Sequence, residues 1–381
     1  MKAWQSKLVE QSTIRDVFTG LAGTYIGKTQ EMPNSMIIDV SSQAKPGIDS
    51  VTIPLIMDLS GAGRIGRQSL LTYEEDQAVK FVTLYANNVK HAVPIEVYGI
   101  DAWHKKGYNL VGRVQPQLSK WHNEKEGLYM REAFCEGVSS NLVVAPTSQS
   151  KYINKNVYII DTVVTKVAYS ATLATFRTAI DSAVPTTPTA AHQINIDALN
   201  QIARILSVDE AMEPVERNGK DAYYLFIPSN QAQLLRDSTD SNQLAALYRD
   251  SDVRGDGNKA INGELGVYNN MILIEDPRAP RVEVDTTVTF GYKGPGTTDT
   301  RGAVGVTEFD VIMASGKGSM GKLTFEKLHF ETEKQDYNSI NGIGAVQTYG
   351  YQLIEFDDET PGDTTRINQN SALFLAASKL A

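Results

Sequence analysis

The sequence predicts a mixed α and β chain, either α/β or α+β, and three observations carry that expectation. Runs rich in β-branched and aromatic residues recur along the 381 residues, separated by stretches with helical periodicity. Hydrophobic residues make up 41% of the chain and charged residues 21%, enough apolar content for a large core and too much for wholesale disorder. Strand-like and helix-like segments alternate between Asn156 and Pro280, as they do in layered α/β and α+β folds. The length alone sets a soft prior of about two to three domains.

The first segment, Trp4 to Leu21, carries Trp4, Leu8, Phe18 and Leu21 among polar residues and predicts a weak amphipathic helix. It buries little by itself, so it is either a peripheral helix of the same domain or an arm that binds a partner. Val51–Ile56 and Val79–Tyr85 predict strands. Between them lie Gly61-Ala62-Gly63-Arg64-Ile65-Gly66-Arg67 and the acidic Tyr73-Glu74-Glu75-Asp76. A connection this long and glycine-punctuated is no tight hairpin; it predicts a two-stranded flap reaching away from the body. Pro116 to Leu142 is the longest helical candidate, with Trp121, Leu128, Cys135 and Leu142 spaced at sevens and Leu118 and Val138 on nearly the same face. Pro116 suits a first turn. Gly127 and Gly137 each weaken the helix by about 1 kcal/mol relative to Ala, so tertiary packing must hold it. Cys135 on the apolar face reads as a small core residue.

Val157–Ile160 and Val163-Val164 predict strands, and Ile196 to Leu206 a strongly amphipathic helix capped by Asn195 or Asp197. Ala222–Ile227 is a buried-strand run ending at Pro228, after which Ser229-Asn230 can cap a helix through Gln231 to Asp237. Val267 to Ile274 predicts one strand, closed by Glu275-Asp276-Pro277. Glycine and threonine dominate Asp285 to Gly305, an exposed loop or hairpin. Strands resume at Phe309–Met313, Lys327–Phe330 and Val346–Leu353 before Asp357-Asp358-Glu359 and Pro361-Gly362 break the pattern.

Composition narrows the function. Lys plus Arg total 36 and Asp plus Glu 45, a net charge of −9 that argues against tight wrapping of DNA. One cysteine permits neither an intrachain disulfide nor a cysteine-rich zinc site, and the five histidines show no metal-binding pairing. The N-terminal stretch has no signal-peptide pattern, and no run approaches the roughly 18 apolar residues of a membrane span, so the expectation is a protein made in a cytoplasm that contacts no membrane. Gly316-Lys317-Gly318-Ser319-Met320-Gly321-Lys322 matches the spacing of a phosphate-binding loop after a strand. However, Leu323 stands where Ser or Thr must hold magnesium, and Lys322–Glu326 is a poor start for the helix that should face the phosphate. Asp250–Asn258 resembles a calcium loop, but Arg254 occupies a ligand position and Ile261 stands where the closing Glu belongs. Ser319 lacks the first glycine of a nucleophile elbow. No catalytic, cofactor-binding or metal-ligating residue emerges, which leans the chain toward a structural role.

Several segments, taken in order, resemble one family: Asp49–Leu55, Leu59–Gly66, Glu74-Glu75, His91–Val93, Tyr223–Pro228, Gly263–Tyr268, Asp336–Asn338 and Gly350-Tyr351 to Phe356. Together they are similar to the major capsid proteins of tailed phages, in particular the group typified by the short-tailed phage N-four. The glycine/threonine stretch Asp285–Gly305 departs from that pattern. The resemblance implies an α+β chain with the HK97-like major capsid fold. Its parts would be an N-terminal arm (1–45), an extended E-loop with flanking strands (46–95), a peripheral domain with a long spine helix (96–155) and an axial domain (156–290). A glycine/threonine-rich loop with return strands of the peripheral domain (291–356) and a C-terminal tail (357–381) would follow.

The same resemblance implies a protein of the virion, present in host cytoplasm during assembly. Copies would form hexamers and pentamers that close an icosahedral shell around double-stranded DNA without sequence-specific binding. Portal, scaffold and decoration proteins would be its other partners. Trp4, Leu8 and Phe18 of the arm and Arg64, Arg67, Glu74 and Glu75 of the flap are then the candidate intersubunit contacts. The alternatives are a nucleotide-binding enzyme using Gly316–Lys322 and another self-assembling virion protein, such as a tail-tube protein.

Overall fold

The structure is a computed structural model and describes residues 17–18, 21–24, 33–43, 50–56, 79–96, 110–135, 154–169, 173–217, 219–237, 264–284, 288–291, 307–335, 340–355 and 369–378. In chain order come β1 (Ala22–Thr24), β2 (Ile37–Asp39), β3 (Ser50–Ile56), β4 (Val79–Tyr85), β5 (Asn87–Glu96) and the long helix α1 (Leu110–Phe134). Then follow β6 (Val157–Ile159), β7 (Thr165–Lys166), α2 (Leu173–Ala183), α3 (Ile196–Arg204), β8 (Val215–Arg217), β9 (Lys220–Pro228) and α4 (Ser229–Asp237). The remaining elements are β10 (Glu264–Tyr268), β11 (Met271–Asp276), β12 (Arg281–Val284), β13 (Val288–Gly291), β14 (Thr307–Ser315), β15 (Met320–Gln335), β16 (Ile340–Leu353) and β17 (Ser371–Ala377).

A ten-stranded mixed sheet runs β10-β11-β9-β14-β17-β6-β7, with β12 and β13 continuing from β14 and β8 from β9. Its central strands are continuous apolar runs because both faces are buried. Tyr224 and Phe226 of β9, Val311 and Met313 of β14, and Leu373 and Leu375 of β17 point to one face, packing with Phe176 and Ile180 of α2. The alternate residues, Tyr223, Leu225, Ile227, Ile312 and Phe374, point to the other and meet Leu199 and Ile202 of α3 and Leu235 of α4. Asn195 caps α3 by accepting from the Ala198 N–H at 2.7 Å.

The second sheet has the order β1-β2-β15-β16-β5. Its spine is the long antiparallel pair β15–β16, and β5 pairs with β16 from Asn87 to Glu96. Helix α1 lies on one face, where Val114 and Leu118 meet Ile343 and Ala345. The β3–β4 ribbon is a separate antiparallel pair. Its Val51, Ile53, Val82 and Leu84 cover Ile38, Val40, Leu323 and Ile354 near the junction with the other sheet. One core cluster contains residues of both sheets and of α1, from Phe226 and Leu375 through Tyr129 to Tyr349 and Tyr351. The chain is therefore built around a shared core, and the two sheets are not independent beads.

Four expectations need correction, and a fifth falls almost wholly outside the described residues. The long helix starts at Leu110, so Pro116 sits inside it on an exposed position. A proline costs one helical hydrogen bond there, which packing along the rest of the helix outweighs. Val267–Ile274 is two strands, β10 and β11, joined at Asn269 and Asn270, whose φ angles of 45° and 63° make a tight left-handed turn. Phe309–Met313 belongs to the ten-stranded sheet through β14, pairing with β9 and β17, and does not return to the sheet that α1 covers. The C-terminal tail ends in β17, a wholly buried strand parallel to β6 and antiparallel to β14. Of the predicted first helix, Trp4 to Leu21, only Val17, Phe18 and Leu21 are described; Val17 and Phe18 lie in a turn, and the rest lies outside the described residues.

Candidate functional site

The phosphate-loop spacing at Gly316–Lys322 turns out to be a strand–turn–strand crossing from β14 in one sheet to β15 in the other. Its backbone donors are already engaged. Gly316 N–H donates to the Asn370 carbonyl, Lys317 N–H to that of Glu213 and Gly318 N–H to that of Ser35, each at 2.8 Å. The side chain of Asn370 accepts from Glu213 N–H at 3.1 Å and donates to the Lys317 carbonyl at 2.7 Å. Gly316 has no room for a side chain, since a Cβ would lie 2.4 Å from the Glu213 carbonyl oxygen, and Gly318 has φ +62°. Ser319 hydrogen-bonds Ser315 and the Met36 carbonyl. Lys322 pairs with Glu126 of α1 at 2.9 Å, and the Tyr351 hydroxyl donates to the same carboxylate. A phosphate needs free N–H groups and a free lysine. This crossing spends them on stitching four distant parts of the chain together.

Helix α1 is tied to both sheets. Toward the ten-stranded sheet, Arg131 and Asp276 of β11 form a two-pronged ion pair, Nε to Oδ2 at 2.7 Å and Nη2 to Oδ1 at 2.8 Å. Arg131 Nη1 also donates to the Gly127 carbonyl at 2.8 Å, and Arg278 lies 3.5 Å from Glu124. Toward the other sheet stand the Glu126–Lys322 pair and the buried His122, whose Nε2 lies 3.2 Å from the Ala345 carbonyl. Burial holds His122 below its ordinary pKa, with His91 adding to the shift. Burial pushes Glu132 up to about 7, only partly offset by Lys125. It also pushes Tyr129 to about 12 and Tyr349 higher still.

Of the seven candidate contact residues, Phe18 alone is described, and it lies inside the chain's own core. It is 3% exposed, with its ring 4.8 Å from Phe226 and 6.1 Å from Phe134. That packing seats Phe18 in the chain's own core, beside Phe134 and Phe226. Trp4, Leu8, Arg64, Arg67, Glu74 and Glu75 lie outside the described residues, as does the calcium-like loop. Cys135 is buried, as its place on the apolar helix face implied. Among the described residues no cluster of His, Cys, Asp or Glu is arranged to hold a metal, and no helix is long and apolar enough to cross a membrane. The Arg131–Asp276 pair was missed from sequence. Its signal was an arginine between Leu128 and Cys135 on an otherwise apolar helix face.

No protein-family model matches the chain, and no curated protein does. Solved structures do. The capsid of Ralstonia phage GP4 aligns with 96% of this chain and 92% of its own, at 15% identity and a TM-score of 0.65. The capsid asymmetric unit of cyanophage Pam1 covers 96% and 94%, at 16% identity and a TM-score of 0.61. The acid-stable capsid of Helicobacter pylori phage KHP30 covers 96% and 92%, at 12% identity and a TM-score of 0.56. The fold is α+β and HK97-like.

Proposed function

We propose, from the HK97-like fold this chain shares with phage capsid chains, that it is the major capsid protein of a tailed bacteriophage. Copies assemble as hexamers and pentamers into an icosahedral shell around packaged double-stranded DNA. The observation that carries this reading is the near-complete alignment in both directions: 96% of this chain matches 92% and 94% of two capsid chains. The engaged donors at Gly316–Lys322 weigh against the nucleotide-binding alternative.

In this reading α1 is the spine helix, and the ten-stranded sheet with α3 and α4 is the axial domain. The sheet under α1 is the peripheral domain, and β3–β4 form the base of the flap. Trp4, Leu8, Arg64, Arg67, Glu74 and Glu75 contact neighbouring copies, the arginines facing acidic side chains there. The net charge of −9 suits a wall that encloses DNA without gripping it. The protein resides in the virion, and during assembly in host cytoplasm, where portal, scaffold and decoration proteins are its partners. It is not an enzyme.

Electron microscopy of the expressed full-length chain, alone and with scaffold, tests the reading. Closed icosahedral particles are expected; tubes, flat sheets or a persistent compact monomer would overturn it. Deleting Gly61–Asp76 should leave soluble, folded protein that makes no shells, and normal particles from that deletion would remove the flap assignment.

A further inference from the structure

Within one copy, a side chain of the β3–β4 ribbon already seats on a glycine of the five-stranded sheet. Val51, Ile53, Val82 and Leu84 of the ribbon face the sheet, and a Cβ on Gly321 of β15 would lie 2.6 Å from Leu84 Cδ1. Gly321 is therefore a socket for Leu84. The register sets Gly350 of β16 opposite Leu323, so Gly344 and Gly342, an even number of residues before it, share the face that the ribbon covers further along. The intervening Ile343 and the adjacent Ala345 point to α1 instead. Neither glycine adopts the left-handed backbone that Gly219 and Gly318 need. Neither is crowded: among the described residues, a Cβ on Gly342 would come no nearer than 3.6 Å, to the Glu333 carbonyl oxygen, and one on Gly344 no nearer than 3.8 Å, to Ala92 Cβ. Glycine inside a strand weakens it and often marks a place where another group approaches closely. Among the described residues nothing of this chain fills that role. The two glycines thus form a shelf, banked by the exposed Ala92 and Pro94 of β5 and the exposed Glu331 and Glu333 of β15.

The matching knob is Phe81 of β4. It stands opposite Pro54 on the outer face of the ribbon and is 66% exposed. Strand alternation turns it away from its own sheet, because Val82 and Leu84 are the residues that face inward. We propose that the Gly342–Gly344 shelf docks the Phe81 face of the β3–β4 ribbon from a second copy of this chain. The ring would lie on the glycine backbone beside Ala92 and Pro94, as Leu84 lies on Gly321 within one copy. An aromatic ring over a strand glycine supplies the apolar contact that glycine lacks. Knob and shelf are different surfaces of the same chain, so each copy gives one contact and receives another. Such a heterologous contact propagates into a ring or array and does not stop at a dimer. That copies assemble at all rests on the capsid reading; the match of knob to shelf rests on the geometry of one chain.

The test substitutes Phe81→p-benzoylphenylalanine, a photoreactive aromatic that keeps the ring, in the full-length chain. Isotope-labelled and unlabelled chains are mixed, so that cross-links between copies can be told from those within one. Whatever assemblies form are irradiated, or the concentrated solution if none form. Cross-links between copies that map to 90–96, 329–335 or 340–346 are expected. Cross-links between copies that map elsewhere, or none at all, overturn the proposal. Gly344→Val and Phe81→Ala should each leave the melting midpoint of the unassembled chain within about 2 °C of wild type. Each should also cut the yield of assemblies at least about tenfold. An undiminished yield from a folded variant of either kind refutes the dock, and if Gly344→Val does not fold, the exposed Phe81→Ala decides alone. The capsid reading fails separately: cross-links at the shelf within tubes or flat sheets keep the dock and remove the shell, whereas closed shells cross-linked elsewhere keep the shell and remove the dock.

Discussion

The two sheets solve the burial problem differently. In the ten-stranded sheet, β9, β14 and β17 place alternate side chains in two separate apolar clusters, and every residue of β17 is buried. In the five-stranded sheet the described residues cover the α1 face and the end under the β3–β4 ribbon. Beyond the ribbon, described residues on the other face are exposed. Gly344 stands opposite Ala92 and Glu331, and Val346 opposite Lys90 and His329; Lys90, Ala92, Pro94 and Glu331 are all exposed. The first sheet is buried on both faces by this chain's own residues. The second carries exposed side chains on part of one face among the described residues.

The contrast is most directly broken at β17. Deleting residues 369–381 should abolish soluble folded protein, because the loss of a central buried strand exceeds the whole stability of a typical domain, about 5–15 kcal/mol. Expression and circular dichroism check it. Within that strand, Phe374→Ala removes a buried ring stacked 5.1 Å from Tyr158 and should cost about 3–5 kcal/mol in denaturant unfolding. Asp276→Ala strands the Arg131 charge in the core and should cost about the same, 3–5 kcal/mol. A cost below 1 kcal/mol would mean that water already reaches the pair.

The seam between α1 and the five-stranded sheet should respond to pH. Glu132 has a folded-state pKa of about 7 against an ordinary 4.5, so its protonated form is favoured by folding. Its stabilising contribution is complete below pH 4.5 and is lost as pH rises through about 7. Glu132→Gln should thus raise the melting midpoint above pH 7 and leave it unchanged below pH 4.5. His122, held below its ordinary value by burial, acts in the opposite sense and weakens the same seam as pH falls. The smallest effect belongs to the open face. Glu331→Lys, at a side chain 72% exposed, should change the stability of the unassembled chain by no more than about 0.5 kcal/mol. A reduced particle yield from that variant would assign the open face to a subunit contact.

Much of this architecture was legible locally. The β3 and β4 segments, the buried run of β9 and the Asn195-capped α3 stand almost where periodicity and capping placed them, since the forces that shape them act within a few residues. Other parts were not. Ser371–Ala377 reads Ser-Ala-Leu-Phe-Leu-Ala-Ala, a composition that favours helix as much as strand. It becomes a strand because β14 and β6 offer ladder partners on both sides. Asn269-Asn270 carried a turn signal that the apolar residues on either side obscured. The phosphate-loop decoy failed for a reason only partly visible in sequence: Leu323 breaks the motif, but the occupation of its N–H groups by Ser35, Glu213 and Asn370 is a long-range fact.

The sequence by itself determined the α and β character, the capped helices, the ribbon strands and the poverty in catalytic side chains, because these depend on short-range periodicity, turn chemistry and composition. Only the tertiary structure decided that β17 pairs in parallel with β6, that Arg131 finds Asp276, and that Phe18 closes over them. Those choices join residues far apart along the chain, and their free energy comes from burying apolar and paired charged groups together, which no local pattern records.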